Sequence, residues 1–212
     1  MGRAINWWVE WIAVLLVLGI ASTTAGAPHR PRKQIILVVG LPGSGKSVVT
    51  RHLGRLLRAR RHISGNLIRE WVKQQGLPYT PANDRLGSKH FAKTPGLIGE
   101  KIAAKVHRSR KQVHIVDGIR SPSDAKVLRR YFDVRVVALS LPAKVRHRRM
   151  LARGRFTRAD KSYLRKRDRR EVSLGLLHLL RRPFVRLDMR GSLESTVEQV
   201  EDLARSLFRG VR

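Results

Sequence analysis

Residues 40–47 read Gly-Leu-Pro-Gly-Ser-Gly-Lys-Ser, which satisfies the phosphate-loop pattern G-x-x-x-x-G-K-[ST] at every fixed position. Gly40, Gly43 and Gly45 let backbone N–H groups turn toward one point, where the N-terminus of a following helix adds partial positive charge. Leu41, Pro42 and Ser44 complete the loop around that point. Lys46 would reach the β- and γ-phosphates of a nucleoside triphosphate such as ATP, and Ser47 would offer its hydroxyl to Mg²⁺. A second group of residues lies downstream. The run Val113 to Val116 ends on Asp117, a carboxylate suited to orienting Mg²⁺ through water when it stands beside such a loop. Arg120 comes three residues later and would project from the same edge toward a second phosphate.

These residues need a scaffold, and the flanking pattern supplies one. Gln34 to Val39 is a short apolar, β-branched run that reads as a buried strand, and Val48, Val49, Leu53, Leu56 and Leu57 recur at helical spacing from Ser47 to Ala59, a helix expected to end near Arg61. Strand, glycine loop and helix form the context in which the motif carries meaning. From residue 34 onward, elements alternate as in an α/β doubly wound fold. His62 to Gly65 reads as a short strand, Leu67 to Gln75 as a helix, and Tyr79 to Pro95 as loop or short helix. Leu97 to Val106, Ser123 to Tyr131 and Ala143 to Arg153 read as helices, and Val134 to Leu141 as a strand. A basic segment runs to Arg170, then come a helix from Glu171 to Leu180, a strand from Phe184 to Leu187 and a helix from Leu193 to Phe208. The expected organisation is an N-terminal apolar segment, residues 1–33, and a nucleotide-binding domain, residues 34–212.

Composition narrows the partners. The chain has 212 residues, 45 Lys and Arg against 15 Asp and Glu, and a net charge of +30, which favours acidic partners: nucleotide phosphates, RNA or an anionic membrane surface. It has no cysteine, which excludes disulfides and thiolate metal sites, and its eight histidines show no ligand spacing. The N-terminus carries a continuous apolar run, Trp11 to Ala21, and then Ala25-Gly26-Ala27, a signal-peptidase-like site. The run is short of the ~20 residues of a spanning helix, and the basic stretch from Pro28 to Lys33 favours a cytosolic location for the nucleotide-binding domain. Three readings stand: a start codon assigned too early, a membrane anchor with the domain facing the cytosol, and a secretion signal. Cytoplasmic location is expected, because a nucleotide-using domain has its substrate there.

Several segments together resemble nucleotide kinases. Ser64-Gly65-Asn66-Leu67-Ile68-Arg69 is similar to the acceptor-binding segment of adenylate kinases, T-G-D-[ML]-[LI]-R, and Asp117-Gly118-Ile119-Arg120 to their D-G-F-P-R, one residue shorter. Arg153-Gly154-Arg155 and Arg167-Asp168-Arg169-Arg170-Glu171 stand where those kinases carry lid arginines. The set closely resembles an archaeal family of P-loop nucleotide kinases described as adenylate-kinase-like or dephospho-CoA-kinase-like, over residues 34 to 212. The resemblance implies a three-layer P-loop kinase fold, a parallel sheet flanked by helices with a short arginine-rich lid at about residues 154–168. It implies that Arg69 and Arg120 grip the phosphate of a small phosphorylated acceptor. Arg153, Arg155, Arg167 and Arg170 would close with Lys46 over the transferring phosphoryl group, a task suited to arginine's planar, permanently charged fork.

Three further readings qualify that picture. Asn66 stands where the family has aspartate, which tilts the acceptor toward a phosphate rather than a hydroxyl, since a hydroxyl needs a carboxylate base; Asp84 or Asp160 would be the alternative base. The basic stretch from Lys144 to Arg170 is dense enough to contact RNA phosphates, although Phe156 and Tyr163 give little stacking support. The turn from Asp188 to Leu193 corresponds to the segment that holds the nucleobase in similar kinases, and Ser192 also reads as a helix N-cap.

Overall fold

Strand β1 (Gln34–Val39) has no polar residue after Gln34 and is buried along nearly its whole length. A strand of that kind needs cover on both faces, which is the situation of a central strand in a parallel sheet. In the computed structural model, which describes residues 32–152, 161–181 and 183–208, β1 is the middle strand of five. The others are β2 (Arg60–Ile63), β3 (Val113–Asp117), β4 (Asp133–Ser140) and β5 (Val185–Asp188). They lie in the order β2-β3-β1-β4-β5 with every pairing parallel.

The helices are α1 (Lys46–Leu56), α2 (Ser64–Gln74), α3 (Pro81–Ala92), α4 (Leu97–His107) and α5 (Pro122–Tyr131), then α6 (Ala143–Ala152), α7 (Lys161–Ser173), α8 (Leu176–Arg181) and α9 (Leu193–Phe208). The strand pleat sorts them into layers. Ile35, Leu37 and Val39 point to one face and pack with Leu67, Ile102, Leu128 and Leu176, from α2, α4, α5 and α8. Ile36 and Val38 point to the other and pack with Val49 and Leu53 of α1 and Leu203 and Leu207 of α9. The protein is therefore a three-layer α/β fold, a parallel sheet flanked by helices on both faces, as the alternation of elements and the resemblance both predict.

The differences from the predicted elements have physical causes. The loop helix stops at Leu56 instead of continuing to near Arg61, because Arg58 turns left-handed (φ 46°) and Arg60 and Arg61 pair with His114 and Ile115 in the sheet. Residues 79–95, polar enough to read as loop or short helix, contain the full helix α3, opened by a Thr80 cap that accepts from the Asn83 N–H and by Pro81 in the first turn. Only Gly87 and Phe91 of α3 are buried. The basic segment before Arg170 is already helical from Lys161, and the predicted helix 171–180 is split in two at Gly175, whose φ of 96° ends α7 and restarts the chain as α8.

Arg32 and Lys33 belong with the domain. The Lys33 ammonium donates to the carbonyls of Val106, His107 and Ser109 at 2.6–3.0 Å, and Arg32 donates to those of Arg130 and Tyr131. Part of the basic stretch expected to mark the cytosolic side thus satisfies the C-terminal carbonyls of α4 and α5. The segment 1–31 lies outside the described residues; among those described, no helix is long and apolar enough to cross a membrane.

Leu53 is fully buried and fixes α1, whose N-terminus carries the phosphate loop, against the sheet. Leu53→Ala is expected to lower the unfolding free energy by about 3 kcal/mol, read as a reduced midpoint in urea denaturation with an unchanged m-value.

Candidate functional site

Parallel strands deliver their carboxyl ends to one edge, and the chemistry-bearing residues collect there. β1 ends at Val39 and the loop 40–45 carries the chain into α1. Gly43 (φ 82°) and Gly45 (φ 95°) hold left-handed backbone that side chains rarely adopt. A Cβ at Gly43 would lie 2.8 Å from the Arg146 carbonyl, so the loop is also pressed against α6. Gly45 is the α1 N-cap and offers no side-chain cap, which leaves the first N–H groups of the helix for a ligand. Ser44 Oγ is buried and has no hydrogen-bond partner among the described residues.

Asp117 is the last residue of β3, in register with Val38 of β1 and Ile63 of β2, so its carboxylate stands one strand from the loop. It is 7 % exposed. Burial pushes its carboxyl above the usual range, against the opposing pull of Lys46, Arg61 and Arg120. Lys46 donates to the carbonyls of Gly40 (2.7 Å) and Leu41 (3.2 Å), folded back over its own loop. Its ammonium is lowered to about 8, chiefly by burial, with Asp117 and Glu171 opposing the shift and the nearby Arg120 and Arg167 adding to it. Five ionic groups are thus gathered round one point. The donor set of Ser47, exposed in the first turn of α1, and Asp117 fits a Mg²⁺ held mainly by phosphate and water oxygens.

These groups line a cleft of about 960 Å³. One wall carries Arg167, Arg170 and Glu171 of α7, the i, i+3, i+4 stripe of one helix face, with Leu174 just past its end. Glu171 is 3 % exposed and pairs with the Arg120 guanidinium Nε. Arg120, expected to grip an acceptor phosphate, therefore reaches the cleft already held by a carboxylate on α7.

The attachment of α7 to the loop depends on a residue that the motifs do not mark. Arg146 of α6 is 3 % exposed. Its two terminal nitrogens donate to both oxygens of Asp168 (2.9 and 2.8 Å), one of them also to the Pro42 carbonyl (2.9 Å), and its Nε to the Leu141 carbonyl (3.1 Å). His147 adds a contact from Nε2 to Asp168 Oδ2 at 2.9 Å. One guanidinium thus joins the phosphate loop, the end of β4 and the arginine helix, with the bidentate geometry that makes such pairs strong. Burial raises the Asp168 carboxyl, but its bonds to Arg146 and His147 outweigh this and hold it below its ordinary value of 3.8.

At the other end of the cleft, Arg69 of α2 donates to Asn66 Oδ1 (3.1 Å), and its guanidinium lies 5.4 Å from the centre of the Tyr79 ring. The Tyr79 hydroxyl donates to Asp84 Oδ1 at 2.8 Å. Ser64, the first residue of α2, is fully buried at the cleft wall, and its hydroxyl has no partner among the described residues. In the turn after β5, Gln199 takes both backbone groups of Asp188, Met189 N–H bonds Ser140 O, and Arg149 donates to Met189 O. Most of the backbone expected to meet a nucleobase is thus already bonded within the protein. Ser192 is the cap of α9, accepting from Ser195 N–H at 3.2 Å.

The structure brings together Gly40, Pro42, Gly43, Lys46 and Ser47 of the loop with Asp117, Arg120, Arg167, Arg170 and Arg69 in one cleft, while Leu41, Ser44 and Gly45 of the loop do not line it; Arg153, Arg155, Phe156 and Asp160, with the 154–160 part of the expected lid, lie outside the described residues. In the basic run expected as an RNA contact, Arg146 spends most of its donors inside the protein and Arg149 gives one to the Met189 carbonyl. Arg146, Tyr79 and the partner role of Glu171 escaped the motif reading. For Glu171 the helical stripe 167-170-171 was a usable signal. Arg146 carries none, being one arginine among many until α6 docks on the loop.

Comparisons with known proteins agree with this architecture. A family profile described as "AAA domain" matches residues 36–171. The UPF0200 protein of Aeropyrum pernix is 30% identical over 85% of this chain and 97% of its own length, and that of Methanoregula boonei 31% over 82% and 98%. The UPF0200 protein PH1008 of Pyrococcus horikoshii is 34% identical over 67% of this chain and 80% of its own. Among solved structures, TT1252 from Thermus thermophilus superposes with a TM-score of 0.61 at 17% identity, covering 83% of this chain and 98% of that one. Shikimate kinase from Acinetobacter baumannii in complex with shikimate gives 0.58 at 16%, covering 85% and 95%. At those identities the likeness is one of fold.

Removing one partner of the clasp strands the other in a buried position. Asp168→Ala is expected to cost about 3 kcal/mol of stability, measured by urea denaturation at neutral pH. A depressed folded-state carboxyl stabilises above its unfolded value and stops doing so as pH falls through the folded value. The difference between wild type and Asp168→Ala should therefore be full above 3.8 and shrink as the pH is taken below it.

Proposed function

This chain belongs to the UPF0200 family and carries an AAA domain, and from that premise we propose that it is a P-loop kinase, transferring the γ-phosphoryl group of ATP to a small phosphorylated acceptor. The observation that carries the reading is the placement of cations. Lys46 and Arg167, with Arg120 and Arg170, converge on one cleft whose two ends differ: a phosphate loop at one, Arg69 with an aromatic ring at the other. A protein that only binds or hydrolyses a nucleotide has no need of the second end.

The roles derive from position. Loop N–H groups and the α1 N-terminus would hold the β- and γ-phosphates. Ser47 and Asp117 would hold Mg²⁺, which neutralises charge on the phosphates when bound. Lys46 exchanges the carbonyls of Gly40 and Leu41 for phosphate oxygens, a stronger partner for an ammonium. Arg167 and Arg170 on α7, and Arg153 and Arg155 by resemblance, would meet the charge that develops on the transferring group; a single such arginine is worth ~10³ to 10⁵ in rate. Arg69 and Arg120 would orient the acceptor, with Arg120 steadied by Glu171. No protein nucleophile is required, because the mechanism is positioning and charge neutralisation. The cytoplasm, where ATP is available, is the proposed location.

A panel of phosphorylated acceptors in a coupled ADP-release assay tests the reading. Acceptor-dependent ADP release is expected, with Lys46→Ala reducing turnover at least 100-fold. ADP release stimulated by RNA alone would assign the protein to the RNA-linked ATPases instead. A hydroxyl acceptor as the only good substrate would move it to the hydroxyl kinases, with Asp84 as the base to test first.

The Lys46 ammonium also sets a pH dependence. Below about 8 it is already charged, and above that it loses its proton until a bound phosphate raises its affinity for one. Nucleotide affinity is expected to be flat below pH 8 and to fall above it, with proton uptake on binding near pH 9 in calorimetry across buffers of different ionisation enthalpy. Lys46→Met should abolish the uptake.

A further inference from the structure

Anion binding does not account for the whole acceptor end of the cleft. In a chain with 15 acidic residues against 45 basic ones, a carboxylate, Asp84 in the first turn of α3, stands half-buried in a cleft built for phosphates. A carboxylate near a phosphate site opposes phosphate binding, so its place there calls for a different partner. Helix capping is supplied by Thr80, which already accepts from Asn83 N–H. Asp84 Oδ1 accepts from the Tyr79 hydroxyl, and among the described residues Oδ2 accepts no hydrogen bond. The phenol is held as a donor, since burial and the bond to Asp84 both raise it above its ordinary value.

Tyr79 itself lines the cleft and is 53 % exposed, which leaves its ring accessible to a flat ligand. The Arg69 guanidinium already lies over that ring, and a planar guanidinium with a phenol makes a platform on which a planar ligand stacks. Arg167 lies within electrostatic reach of both the Tyr79 phenol and the Lys46 ammonium, so the platform and the phosphate loop share one cleft with a cation between them. Aromatic platform, hydrogen-bond acceptor and phosphate-binding arginines occur together, and the ligand that uses all three is a nucleotide.

We propose that Tyr79 and Asp84 form the base-recognition site for a nucleoside monophosphate acceptor, with Asp84 selecting bases that present an exocyclic amino group. The inference rests on the kinase reading above and narrows its acceptor. The base stacks on Tyr79, its amino group donates to Asp84 Oδ2, and Arg69 takes the phosphate. Uracil presents an N–H flanked by two carbonyl oxygens at the corresponding edge, and those oxygens repel a carboxylate. The Tyr79 hydroxyl acts through Asp84 by fixing its rotamer.

The test is calorimetric titration of the full chain, saturated with a non-hydrolysable ATP analogue and Mg²⁺, with CMP, AMP, GMP and UMP. At least one amino-bearing monophosphate is expected to bind tenfold or more tighter than UMP, the scale of one hydrogen bond to a charged group. Asp84→Asn puts an NH₂ donor where an acceptor oxygen was, so it should weaken the amino-bearing ligand about tenfold and strengthen UMP. Tyr79→Phe keeps the ring and should weaken the preferred ligand by about fivefold, the scale of one neutral hydrogen bond. Unchanged affinity for the ATP analogue reports an intact fold in each variant, and Tyr79→Phe decides the matter if Asp84→Asn does not retain it. Equal binding of UMP and the amino-bearing ligands overturns the proposal, as does a preference that survives both substitutions. Failure of all four to bind overturns it too. In that case, acceptor-dependent ADP release with another phosphorylated compound would leave the kinase reading standing, and none with any acceptor would remove both.

Discussion

Everything reactive in this protein depends on the burial of a parallel sheet on both faces. β1 has no solvent-facing side and no polar side chain after Gln34, so it carries no polar site along its length. Its polar outlet is the carboxyl edge, where the strands end and backbone groups run out of ladder partners. Val39, Asp117 and Ile63 end side by side there, and each leads into a segment that lines the cleft: the phosphate loop, the Gly118–Arg120 turn and the start of α2. The α1 N-terminus converts that edge into an anion site because its first amides have no internal partner.

Concentrating cations in a cleft has a cost, and the acids of this chain offset it. With so few carboxylates available, their placement is informative. Asp117 lies beside Lys46, Glu171 pairs with Arg120, and Asp168 holds Arg146. The first two moderate the repulsion among the cleft cations, and the third fastens α7 to the phosphate loop through Pro42. The arginines of α7 are positioned by packing that has nothing to do with phosphate, which is how a site can be preorganised before its ligand arrives.

Legibility varied residue by residue for physical reasons. The loop 40–47 and Asp117 were readable because their chemistry is local: the spacing of glycines, lysine and serine specifies a turn whatever surrounds it, and a strand carries its last residue to the sheet edge. Arg69, Arg167 and Arg170 were placed through resemblance, and their collection in one cleft bears on that placement without assigning their roles. α3 was underestimated because its polar sequence buries only Gly87 and Phe91, so its helicity depends on the Thr80 cap and on docking against α2. The basic run around Arg146 read as a candidate RNA contact because composition does not distinguish an arginine facing outward from one clasped between three elements.

By itself, the amino-acid sequence determined the phosphate loop and the alternation of strands and helices, because each of these arises from contacts between residues close along the chain. Only the tertiary structure decided which carboxylate each arginine meets. Arg120 and Glu171 are separated by 51 positions and Pro42 and Arg146 by 104, and the energy of such pairs depends on burial and on geometry that exists only once the helices have docked. The same holds for Tyr79 and Asp84, which are close in sequence but enter the cleft only because α3 packs beside α2.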